Sequence, residues 1–152
     1  MTLHKPRPFT REELSAYLIE IFPQTWRGGD YSIEEAGPMN ATVRLRHRPD
    51  HLRPGGTISG PAMFALSDLA LYVAILNEIG RVKLAVTTNM SINFLRKPEP
   101  KDLLGKARLM KLGKRLAVGE VALYSPGLHD MVAHATGTYS IPARRDDGGS
   151  WE

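Results

Sequence analysis

The sequence contains no cysteine in 152 residues, which removes a disulfide framework, a thiol nucleophile and a thiolate metal site together. Aromatic residues are scarce, with four Phe, five Tyr and two Trp. They are not interleaved with the basic residues, so a stacking platform for nucleic acid is not expected. No G-x-S-x-G elbow is present to carry a serine nucleophile. His47 and His51 flank "RPD" without further ligands at a useful spacing, so no metal site is expected. The N-terminal "MTLHKPRPFTREEL" lacks the apolar core of a signal peptide. The longest apolar stretch, Pro61 to Leu76, is interrupted by Ser67 and Asp68 and falls short of the ~20 residues that span a bilayer. These absences together lead us to expect a soluble, cytoplasmic chain with no membrane span.

What remains fits one domain, expected over 1–143, with a disordered tail over 144–152. Thr10 and Glu13 in "TREELSAYLIEIF" have the spacing of a capping box, and Leu14, Leu18, Ile21 and Phe22 line one face of the helix it opens. A polar loop, "PQTWRGGD", follows. "YSIEEAG" and "NATVRLRH" read as a hairpin around "GPMN". From Pro61 to Ile79 the pattern is apolar nearly all round, which suits a buried helix, with Ser59 and Gly60 as caps and Pro61 at its first position. Beyond Gly80 the period changes to two. Val86, Thr88, Met90, Ile92 and Phe94 alternate with Thr87, Asn89, Ser91 and Asn93, and three more strands follow at about 102–111, 116–124 and 131–141. The expected architecture is α+β: an antiparallel sheet, its last four strands in meander, packed on one long apolar helix.

The chemistry centres on Asp68. At helical spacing its neighbours are Phe64, Ala65, Leu71 and Tyr72, none of which can pair with a charge. A carboxylate buried without partners is costly, so a group from elsewhere must justify it. Two readings compete. Asp68 either bonds a backbone amide, a loop arginine or solvent, or it serves a reaction. Gly60, at the expected helix N-terminus, presents backbone to an incoming group and has the positive end of the helix dipole behind it. The two positions lie roughly 12 Å apart along an ideal helix, a separation that a site shared by two protomers would resolve.

The segments "SGPAMFALSDLALYVA", "VTTNMSINFLRKP", "GKRLAVGEVAL" and "VAHATGTYSI" resemble the PaaI-like hotdog acyl-CoA thioesterases over about residues 40 to 141. The resemblance implies a hotdog fold, a sheet wrapped around a central helix, a homodimer that often pairs into a homotetramer, and hydrolysis of an acyl-CoA at the dimer interface. By position it makes Asp68 the general base or nucleophile and Gly60 the amide that polarises the thioester carbonyl. Thr87 falls where some relatives place a partner-chain hydroxyl, with Asn89 read on the same strand face. Two positions depart from the pattern: Ser59 stands in place of a histidine and Arg53 in place of an asparagine. Arg53 either pairs with Asp68, holding its charged form, or faces solvent.

The chain carries 20 basic against 16 acidic residues, a net charge of +4 that suits an anionic partner. The excess is concentrated between Arg81 and Arg115, where ten Lys and Arg meet only Glu99 and Asp102. Arg96, Lys97, Lys111, Lys114 and Arg115 fall at strand ends or turns and could dock the phosphates of coenzyme A. Coenzyme A is then part of the substrate, and no separate cofactor is expected. The leading expectation is an acyl-CoA thioesterase acting on a small apolar or aromatic acyl group. The alternative is a non-catalytic acyl-CoA binding or sensing protein on the same fold. A hotdog dehydratase ranks last, because no histidine lies between Ser59 and Gly80.

Overall fold

The structure, a computed structural model, describes residues 7–143, 145 and 146. Helix α1 (Arg11–Ile21) opens on the expected capping box: Thr10 Oγ1 accepts from the Glu13 N–H, and the Glu13 carboxylate accepts from the Thr10 N–H. Its buried face is Leu14, Tyr17 and Leu18. The segment expected as a polar loop instead begins with a four-residue helix, α2 (Pro23–Trp26), whose proline occupies the first turn where no donor is needed. The hairpin β1 (Tyr31–Gly37) and β2 (Asn40–Leu45) follows, then a 3-10 turn over Pro49–His51.

Helix α3 (Gly60–Ile79) is capped by Ser59, carries Pro61 at its second position and ends at Gly80, whose φ of 89° favours glycine. The helix matches the expected one to within one residue, and at 20 residues it is long and apolar enough to cross a membrane, unlike the apolar stretch to Leu76 taken alone. Burial against the sheet accounts for that composition. Thirteen of its residues are buried, among them Leu66, Ala70, Leu71, Val73 and Leu76. At roughly 25 cal/mol per Å² of apolar surface removed from water, this packing stabilises the fold.

Strands β3 (Val86–Phe94), β4 (Leu103–Leu112), β5 (Leu116–Tyr124) and β6 (Ala133–Ser140) complete one antiparallel sheet. The order is β1-β2-β4-β5-β6-β3, so the expected four-strand meander is not formed. Strands β4 to β6 are consecutive neighbours, but β3 pairs with β6 at the far edge and β2 pairs with β4. The sheet can approach α3 because small residues line its inner face. Gly119 pairs with Gly137, and a Cβ on either would lie 2.6 or 2.8 Å from a methyl of Leu71.

The tail is expected over residues 144–152. Within it Asp146 is held in place: its carboxylate accepts from the Lys83 N–H and from the Tyr17 hydroxyl, and its N–H donates to Arg81 O. Residues 144 and 147–152 of that expected tail lie outside the described residues.

Candidate functional site

Asp68 is partly buried, and two side chains from the sheet reach it. Thr87 Oγ1 donates to Asp68 Oδ1 at 2.5 Å, and the Tyr139 hydroxyl lies 2.5 Å from the same oxygen and 2.8 Å from the Asp68 carbonyl oxygen. Oδ2 has no hydrogen-bond partner among the described residues. One carboxylate oxygen is thus fixed and the other is left for chemistry. Burial, and next the Asp68 charge, push the Tyr139 hydroxyl well above its ordinary range, so it stays protonated and remains a donor. The Tyr72 ring stacks on Tyr139 at 6.2 Å and donates its hydroxyl to Lys83 O at 2.9 Å; burial raises its pKa to about 12.

A backbone irregularity brings Thr87 to this position. Thr87 pairs with Tyr139 and Asn89 with Thr138, leaving Thr88 as the extra residue of a bulge. Without that residue, Thr87 would share the outward face with Asn89. The bulge turns it inward beside Tyr139, so the expectation that Thr87 and Asn89 share a face is corrected. Asn89 is exposed on the outer face, away from Asp68.

The remaining expected residues are dispersed within one chain. Arg53 is exposed on its loop, its N–H donating to Thr57 O, and it does not pair with Asp68. Ser59 serves as a cap, its Oγ accepting from the Ala62 N–H at 3.3 Å while its carbonyl accepts from the Met63 N–H. Pro61 has no N–H. In this first turn of α3 the Gly60 N–H is therefore the free donor among the described residues, two helical turns from Asp68. A Cβ on Gly60 would lie 3.2 Å from the Phe94 ring, so Gly60 sits at the opposite end of β3 from Thr87.

The five cations do not form one cluster. All are exposed, but Lys111, Lys114 and Arg115 lie at the end of the sheet where β3 begins, since Leu116 and Val86 both pair with Ser140. Arg96 and Lys97 follow the other end of β3, about 26 Å away for a strand of this length. Among the described residues, no group of three His, Asp or Glu could hold a metal.

Asp68 opens onto two cavities of about 360 and 290 Å³, and Phe22 and Leu69 line both. The site residues that sequence reasoning missed are Tyr139, Phe22 and His51. Tyr139 had a signal, being the one polar side chain on the inward register of β6 after Ala133, Ala135 and Gly137. His51 and Phe22 had none, because a loop residue and a residue between two helices show no periodicity that aims them at a distant carboxylate.

The model of the thioesterase superfamily matches residues 55–132, the segment that holds α3, β3 to β5 and Asp68. In structure the chain is similar to a candidate thioesterase from Silicibacter sp. TM1040, with a TM-score of 0.82 and 52% identity over 90% of this chain and 94% of that one. It is also similar to a variant of phenylacetic acid degradation protein PaaI from Thermus thermophilus, with a TM-score of 0.66 and 26% identity over 76% of this chain and 96% of that one. Among curated proteins, a candidate esterase of Saccharolobus solfataricus is 32% identical over 89 residues, 59% of this chain and 58% of that relative's length. A family match covering half the chain, a 52% identical relative of nearly equal extent and a sheet wrapped around one buried helix agree: the chain belongs to the thioesterase superfamily and has its hotdog fold.

Proposed function

We propose that the protein hydrolyses acyl-CoA thioesters in a site completed by a second copy of the chain. The observation that carries this reading is Asp68, a carboxylate on an otherwise apolar helix that lines a cavity, with Oδ1 held by Thr87 and Tyr139 and Oδ2 without a partner among the described residues. Water attacks the thioester carbon as Oδ2 takes its proton. The oxyanion then collapses, the C–S bond breaks with its electron pair going to sulfur, and the Asp68 proton passes to the leaving thiolate. The products are a carboxylic acid and free coenzyme A, and no further cofactor is needed.

The oxyanion needs a donor that one chain does not bring near Asp68. Strand β3 is an edge strand bearing exposed Val86 and Phe94, with exposed Leu95 just beyond it, an edge suited to pairing with another strand. Two β3 strands paired antiparallel about Met90 carry the partner subunit's Gly60, with its free N–H, to the Asp68 end. The same pairing brings the partner's Arg96 and Lys97 toward Lys111, Lys114 and Arg115, which reunites the cations for the nucleotide phosphates. A dimer is the minimal unit of this reading, a dimer of dimers its expected assembly and the cytoplasm its setting.

The test is thiol release from short, medium, long and aromatic acyl-CoAs by the native protein and by Asp68→Asn. Turnover that falls by at least about a hundredfold in the variant, with coenzyme A still bound, supports the reading. Binding without turnover in the native protein would replace it with an acyl-CoA binding protein.

A further inference from the structure

We infer that Phe22 is the wall that sets acyl-group size, dividing the space in front of Asp68 into an apolar chamber for the acyl group and a polar chamber that the acyl group does not enter. This rests on the thioesterase reading. The larger cavity, about 360 Å³, is lined on its apolar side by Ile21, Leu69, Tyr72, Ala85 and Val86, with Lys83, Thr87 and Tyr139 beside Asp68 at its polar end. The smaller, about 290 Å³, is lined by Gln24, Thr25, Asp30, Tyr31 and His51 and also reaches Asp68. Gln24, Thr25, Asp30 and His51 give it a polar lining that hydrocarbon would desolvate without pairing. Phe22 stands on the boundary between the two, together with Leu69 and Asp68 of α3.

Its backbone is pinned from both sides. The Phe22 N–H donates to Leu18 O at the end of α1, and its carbonyl accepts from the Thr25 and Trp26 N–H groups at the start of α2. Pro23 fixes its own φ and restricts Phe22 before it, so the ring is carried by a short, braced corner. A cavity of about 150 Å³ holds a benzene ring, so the apolar chamber accommodates roughly two ring equivalents. The class of acyl group it selects is therefore arylalkanoyl or medium-length alkanoyl. Longer chains meet the Phe22 ring. Removing it joins the two chambers.

The experiment compares kcat/KM for phenylacetyl-, hexanoyl-, octanoyl-, dodecanoyl- and palmitoyl-CoA in the native protein, Phe22→Ala, Phe22→Leu and Phe22→Trp. Binding of non-hydrolysable thioether analogues of the same lengths is measured by calorimetry alongside, and the thermal transition reports folding. Each methylene newly buried is worth about a fourfold gain. The expected result is that Phe22→Ala and Phe22→Leu raise palmitoyl over octanoyl preference by about tenfold or more, while Phe22→Trp moves the preference to shorter groups. An unchanged ranking in folded variants overturns the inference. If no thioester is turned over but analogue binding shifts with Phe22, hydrolysis fails and the wall stands. Turnover with an unmoved ranking gives the reverse, and absence of both binding and turnover overturns both.

Discussion

The grip on Asp68 can be tested one donor at a time. Tyr139→Phe removes a hydroxyl and almost no volume, so the stacking on Tyr72 and the inward packing of β6 are kept while one of two donors to Oδ1 is lost. Thr87→Val removes the other with a side chain of similar shape. A hydrogen bond to a charged group is worth about 1.5 to 3 kcal/mol. If the loss is fully expressed as misplacement of the carboxylate in the transition state, kcat falls by about 10- to 100-fold in either variant, at 1.36 kcal/mol per factor of ten. KM changes less than kcat, because both hydroxyls are engaged with Asp68 rather than offered to the substrate. The two donors share one acceptor, so the double variant departs from additivity by about 1 kcal/mol. Steady-state kinetics on a hydrolysed thioester give kcat and KM separately, and thermal unfolding confirms folding. The positioning argument is refuted if both variants fold and keep kcat within about twofold of native.

Two further outcomes follow from the packing and the electrostatics. Gly119→Ala places a methyl 2.6 Å from Leu71 and 2.9 Å from the Arg108 carbonyl oxygen, which the backbone cannot yield easily. Overpacking of this kind costs about 1 to 3 kcal/mol, and calorimetry is expected to show a transition lowered by about 2 to 4 °C per kcal/mol. Asp102 is held below the usual carboxylate range by the His47 N–H and then by Arg44, so its contribution is present above the unfolded value of about 3.9 and is lost as pH falls through the lower folded value. Urea titrations of Asp102→Asn are expected to show a deficit of about 1 kcal/mol near neutrality, discounted for partial exposure, that closes in acid; a deficit independent of pH contradicts this assignment.

The sequence by itself determined the features that depend on neighbours within a turn or along a strand. The Thr10 and Glu13 box, the buried α3 and its isolated Asp68, the β1–β2 hairpin and the alternation of β4 to β6 are set by periodicity and capping, which act over a few residues. Tertiary structure decided what reaches Asp68. Strand β3 left the meander for the edge beside β6, because closing the sheet around α3 decides which strands become neighbours, and no local propensity encodes that closure. The bulge at Thr88 then reversed the facing of Thr87, since one extra residue in a period of two exchanges the sides of a strand. Tyr139 meets Asp68 across 71 residues, and the cations that look adjacent in sequence part to opposite ends of the sheet because β3 runs between them. Sequence could identify the carboxylate that needed partners; only the packing of distant strands on α3 could supply them.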